Sequence, residues 1–143
     1  MPIKRELLGF YPIDWRELSR VIRFERAGGR CEGCGRPHGQ IVWHLGDGRW
    51  FDADSQQWRD GQGRVVDWID YPAFGDHLQR TKVVLATAHL DHDPTNNRPR
   101  NLMALCQRCH LQHDRAEHRR RRRLTYRRRL ALGDLFGGPY RRS

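Results

Sequence analysis

Two Cys-x-x-Cys pairs, Cys31-Glu32-Gly33-Cys34 and Cys106-Gln107-Arg108-Cys109, constrain this chain more than any other feature. A Cys-x-x-Cys turn points two thiolates at one spot about 2.3 Å from a zinc ion, and two such turns complete a tetrahedral site. The 71 residues between Cys34 and Cys106 would then be closed into a loop by the metal. Disulfides are the competing use of four cysteines. No run approaches the roughly 18 apolar residues of a membrane span, and the start Met-Pro-Ile-Lys-Arg-Glu lacks the apolar core of a signal peptide. The expectation is a cytoplasmic chain with reduced thiols, in which Cys31, Cys34, Cys106 and Cys109 hold a structural Zn²⁺. Four thiolates leave no open coordination position, so that ion supports the fold and not the chemistry.

Composition calls for such a staple. The chain has 143 residues, enough for one domain or a small domain with tails. With 37% hydrophobic and 31% charged residues and a mean hydropathy of -0.90, burial alone leaves a thin margin over conformational entropy.

The formal net charge of +10 is unevenly placed. Residues 1–114 carry 16 Lys and Arg against 15 Asp and Glu, whereas residues 115–143 carry 11 against 2. Of the 27 basic residues 25 are Arg, whose planar fork grips phosphate through two parallel hydrogen bonds. Arg115, Arg119, Arg120, Arg121, Arg122, Arg123, Arg127, Arg128 and Arg129 are therefore the expected nucleic-acid contacts. A merely solvated Arg-rich helix is the plain alternative. A membrane surface fits worse, because the run has no clean apolar face.

Residues 14–27 read as a helix with Asp14 as N-cap, Glu17 completing a capping box, and Gly28-Gly29 as the stop. Its apolar positions Trp15, Leu18, Val21, Ile22 and Phe24 form a face for the core. Between about 35 and 81 lie short β-like pieces at 41–44, 49–51 and 65–69, with Gly-Asp-Gly and Asp-Gly-Gln-Gly turns between them. Four of the five tryptophans fall there, as packing for a small sheet or as stacking partners for a base. Residues 82–88 form the most convincing strand, ending at His89. A Pro- and Asn-rich loop follows. From Asn101 the pattern turns helical, and a helix is expected from about Cys109 to Leu132, with Gly133 as its stop.

The segments 89–93 and 106–114 hold four of the eight histidines. A strand and a helix that each present an imidazole can bring a general base and a metal ligand to one phosphate. His110 shares a helix face with His113 and Asp114 at i, i+3 and i+4.

The order Cys-x-x-Cys, a strand ending in His89, Asn101 twelve residues later, then Leu102 and Leu105-Cys106-x-x-Cys109-His110, resembles the HNH endonuclease family. The likeness covers residues 85–114, extends to Cys31, Cys34 and the helix before them, and does not reach 40–80 or the tail. It implies a small α+β zinc-stabilised domain with a ββα-metal hairpin-helix core, an N-terminal helix, a β-rich insertion at about 35–81 and an Arg-rich C-terminal helix. The domain would span 1–114 and the basic helix and tail 115–143. By position the family's roles fall on His89 as general base, Asn101 as the residue that orients it through the hairpin backbone, and His110 as catalytic-metal ligand. Many members carry Asp or His immediately before the base as a second ligand, and here that residue is Ala88. Either His92 or Asp91 supplies the ligand from the loop, with His92 preferred, or the register slides so that Asp91-His92 is the ligand and base pair.

The resemblance implies metal-dependent hydrolysis of DNA phosphodiester bonds to a 5′ phosphate and a 3′ hydroxyl, with Mg²⁺, Mn²⁺, Ni²⁺ or Zn²⁺ as the catalytic ion. RNA stays open as a substrate. The alternative is a non-catalytic zinc module that binds DNA or RNA through its Arg-rich helix. A third reading is an assembly or adaptor protein with protein partners in a phage or defence system.

Overall fold

The computed structural model describes residues 5–69 and 75–137; 1–4, 70–74 and 138–143, with the parts of the expected insertion and tail that fall there, lie outside the described residues. The chain divides into two compact units, Met1–Leu111 and Gln112–Ser143.

In the first unit a short 3₁₀ turn (Arg5–Phe10) leads to helix α1 (Trp15–Arg20), which continues as a π-helical segment (Val21–Arg26). The expected capping box is not formed. Asp14 sits at φ -89° and ψ 14° rather than in the extended conformation a cap requires, and Glu17 pairs with Arg20 at 2.7 Å instead of reaching back. The stop is as expected: Gly28 and Gly29 both take left-handed backbone, at φ +60° and +72°. In the π-helical segment Ile22 is buried, while Arg26 reaches the carbonyls of Pro99 (2.8 Å) and Leu102 (2.6 Å).

The insertion forms a four-stranded antiparallel sheet of β1 (Ile41–His44), β2 (Trp50–Asp52), β3 (Gln57–Arg59) and β4 (Gln79–Lys82), in the order β3-β2-β1-β4. The strand expected at 65–69 is reduced to one bridge, Val65 to Arg59. Asp60 accepts the amides of Gln62 and Arg64, folding 60–64 into a tight turn, and only Val66 then reaches the Trp58 carbonyl.

Where one strand was expected over 82–88 there are two, in different sheets. β4 ends at Lys82, the chain crosses at Val83-Val84, and β5 (Leu85–His89) pairs antiparallel with β6 (Leu102–Cys106). The crossing is held by Gln107, whose side chain accepts the Val84 amide (3.1 Å) and donates to the Lys82 carbonyl (2.8 Å). β6 replaces the helix expected from Asn101. Leu102 and Ala104 are buried on one face and Leu105 on the other, a demand that the period-two alternation of a strand meets. Helix α2 (Gln107–Gly137) then starts two residues before the expected Cys109 and passes through Gly133.

The β5–β6 hairpin lies between two buried clusters. Leu102 and Ala104 pack on Ile22, Trp15 and Leu18, and on the same face Thr87 hydrogen-bonds Ser19 at 2.8 Å. On the other face Ala88 and Leu105 join Val42, Trp50, Val83 and the four cysteines.

Candidate metal centre and histidine site

The four cysteines converge. All are buried, their sulfurs lie within 4.8 Å of one another, and Cys34 Sγ is 3.6 Å from Cys106 Sγ. The geometry has local causes. Glu32, inside the first knuckle, donates its amide to the Ala104 carbonyl (2.9 Å) and accepts the Ala104 amide on its carboxylate (2.6 Å), so the knuckle is fastened to β6. Glycine at 33 leaves room for the thiols, since a Cβ there would meet Cys109 Sγ at 3.1 Å, a tight contact. The Cys106 amide donates to Cys31 Sγ at 3.2 Å.

Crowded sulfurs compete for protons. Hydrogen bonds from neighbouring thiols hold Cys31 well below the usual thiol range and bring Cys106 down to about 6, whereas Cys34 and Cys109, which donate, are pushed up. Four such donors around one point, closed off from solvent, fit a structural metal such as zinc, which would replace the shared protons.

His89 ends β5 on the face toward α1 and is 8% exposed. Its ring stacks on Trp15 (centroids 5.1 Å, 13°) and meets the edge of Tyr11 at 5.7 Å. The Tyr11 hydroxyl is pushed up in pKa by burial. The hydrogen-bond partner of His89 is Asn97, with Nε2 2.9 Å from Oδ1. Asn97 Nδ2 donates to the carbonyls of Pro94 (3.1 Å) and Thr95 (3.3 Å), so the atom facing His89 is the amide oxygen. That oxygen only accepts, so Nε2 carries a proton in this bond.

Sequence spacing singles out Asn101 and gives no sign of the Asn97 bond. Asn101 closes the loop at its base: its backbone carbonyl accepts the Leu90 amide (2.8 Å), and Nδ2 donates to Asp91 Oδ1 and the Asn96 carbonyl, both at 2.8 Å. Asp91 is engaged in the same loop. Its carboxylate accepts from Asn101, Asn96 and the Asp93 amide, which holds its pKa down to about 2. His92 takes left-handed backbone at φ 60° and is half-buried, and His110 is half-buried on the first turn of α2, one residue after Cys109. Ala88 is 2% exposed on the strand face opposite His89, within the cysteine-side cluster. Two other histidines serve the fold: His38 Nδ1 accepts the Leu85 amide, and His44 Nε2 bonds Thr81 Oγ1.

In the second unit α2 presents Arg115, Arg119, Arg120, Arg121, Arg122, Arg123, Arg127, Arg128 and Arg129, all exposed. Arg119, Arg123 and Arg127 follow one another at i, i+4 and i+8 along a shallow groove with Leu124. Glu117 pairs with Arg121 (2.8 Å) and Arg120 (3.0 Å), which hold its carboxyl below the usual range.

No helix among the described residues is long and apolar enough to cross a membrane. Comparison with protein-family models, with curated proteins and with solved structures finds no match to this chain.

Proposed function

We propose that the chain is a metal-dependent endonuclease that hydrolyses DNA phosphodiester bonds, with His89 as general base. The observation that supports the reading is one continuous unit: hairpin β5–β6 carries His89 at its loop end and runs from its other end straight into α2, where His110 follows the cysteine Cys109. His89, held through Nε2 by Asn97, would take a proton from water as general base, and the hydroxide would attack phosphorus in line. Trp15 and Asn97 fix the plane of the ring, and Asn101 holds the loop that carries Asn97. A divalent ion on His110 and His92 would stabilise charge on the phosphorane and on the leaving 3′ oxygen. With Asp91 committed to the loop, His92 is the preferred second ligand. The exposed arginines of α2 hold backbone phosphates.

A second reading is favoured by a specific observation. His89 is nearly enclosed, and Ala88 puts a methyl group where a ligand is expected. Both suit a non-catalytic zinc module that binds DNA or RNA through α2.

Plasmid nicking with EDTA, Mg²⁺, Mn²⁺ and Ni²⁺ separates the two. The nuclease reading expects cutting with at least one metal, reduced by about a hundredfold or more in His89→Ala, as befits removal of a general base. His92→Ala should instead be partly rescued by excess metal. A wild type that binds DNA and cuts under no metal condition leaves the binding module.

A further inference from the structure

The structure sorts the tryptophans: Trp50 and Trp58 are 0% and 4% exposed, whereas Trp43 and Trp68 are 40% and 71% exposed. Strand pairing separates Trp43 from Trp50, which lie on opposite faces of the sheet. Ile41 lies opposite Lys82 and Trp43 opposite Arg80, so these four side chains share one face of the sheet, while Val42 and Thr81 point to the other. All four are exposed. The Arg80 guanidinium sits over the Trp43 ring at 5.2 Å from its centroid. The same face continues onto β2, where Phe51 meets Trp58 at 5.6 Å and the exposed Trp68 at 6.3 Å, edge to face. Among the described residues no ion pair engages Arg80 or Lys82, and the face is aromatic and carries two cations.

This juxtaposition does not serve the core, which lies on the opposite face with Val42 and Trp50. An exposed indole beside cations is the combination that binds unpaired nucleotides: the ring takes a base and the cations take the flanking phosphates. A duplex keeps its bases stacked inside and cannot use the indole. A protein partner would have to bring carboxylates for Arg80 and Lys82 as well as apolar groups for Ile41 and Trp43, and would not distinguish a single strand from a duplex.

We propose that the outer face of the four-stranded sheet is a binding site for single-stranded nucleic acid, with Trp43 stacking on a base and Arg80 and Lys82 holding phosphates. It rests on the proposed function only in taking nucleic acid as the ligand, and it assigns the insertion a substrate-selecting role that is independent of His89.

The test is fluorescence anisotropy on the full zinc-loaded chain, with a short labelled oligothymidine and a labelled duplex of equal length. Trp43→Leu should weaken oligothymidine binding roughly tenfold and leave the duplex unchanged, the size expected for one base stack. Trp43→Phe keeps a ring and should keep most of the affinity. Arg80→Gln with Lys82→Gln should lower the logarithmic salt slope for oligothymidine by about 0.7 per charge. Trp43 is surface-exposed, so zinc content and melting temperature should not move; if Trp43→Leu fails to fold, the Phe and Gln arms decide. Unchanged oligothymidine affinity in Trp43→Leu, or equal weakening on both ligands, overturns the proposal and leaves the face to a protein partner. If the nicking assay fails while the Trp43 effect persists, the nuclease reading falls and this one stands.

Discussion

The two compact units are held by opposite means. Met1–Leu111 has 16 basic against 14 acidic residues and closes around buried side chains, among them Trp50, Leu85, Leu102 and the four cysteines. Gln112–Ser143 has 11 against 3, and every arginine from Arg115 to Arg129 is exposed on α2. Like charges three and four residues apart oppose a helix, and here Glu117 pairs with two of the arginines. The first unit therefore has a centre that could hold a structural metal, and the second has its charge along its surface. Charge balance read in windows separates the part of this chain that buries its contents from the part that exposes its charge.

Breaking the centre should have the largest effect. Cys106→Ser, or a strong chelator, should abolish tight zinc binding and the cooperative unfolding of the first unit, since metal affinity on the order of 10 kcal/mol is folding energy in small zinc domains. Elemental analysis and thermal melts read this directly. Helical circular dichroism from α2 that persists after chelation would confirm that the second unit stands without the first, and its disappearance would break the contrast.

Much of that centre is legible in the sequence, because cysteine spacing needs no knowledge of the intervening fold. The convergence of Cys31 and Cys34 with Cys106 and Cys109 follows from chemistry alone. The β-rich insertion is legible as a class, though its strands are not. Lys82–Ala88 reads as one strand because β propensity is continuous across it, and the side chain that divides it, Gln107, is remote in sequence. β6 is hidden because Leu102, Ala104 and Leu105 are buried on both faces, and such a short apolar run has no period that excludes a helix. At the histidine site, spacing singles out His89, Asn101 and His110. It passes over Asn97, and it places Trp15 in the core, where the indole does pack, without revealing its stack on His89, because contacts made by a loop and by a distant helix leave no periodic trace. Two adjacent asparagines beside Pro94 are the one local signal that marks that loop as built for hydrogen bonding.

The surface half of the contrast is tested by salt. Changing Arg119 through Arg123 to Gln should weaken DNA binding for all sequences and lower the slope of log affinity against log salt by up to about 0.9 for each phosphate that is no longer neutralised. Titrations at several salt concentrations provide the slope. An unchanged slope would mean that the exposed arginines only solvate the helix, and charge would then distinguish the units without explaining the second.

The smallest effect concerns Glu117. Its partners Arg121 and Arg120 lower its pKa, so its ion-pair contribution is fully present above the ordinary carboxylate value near 4.5 and is lost as pH falls through the lower folded value. From pH 7.5 to 5.5 it stays ionised and holds two arginines, so on the proposed DNA-binding reading it should contribute no pH dependence to DNA affinity in that window. Glu117→Gln produces at neutral pH what acid would produce. It releases Arg120 and Arg121 and should tighten DNA binding by roughly twofold, the scale of an exposed ion pair, with a steeper salt slope. If Glu117→Gln instead weakens binding, the acid's main service is to the helix, and the arginines depend on that order to reach phosphate.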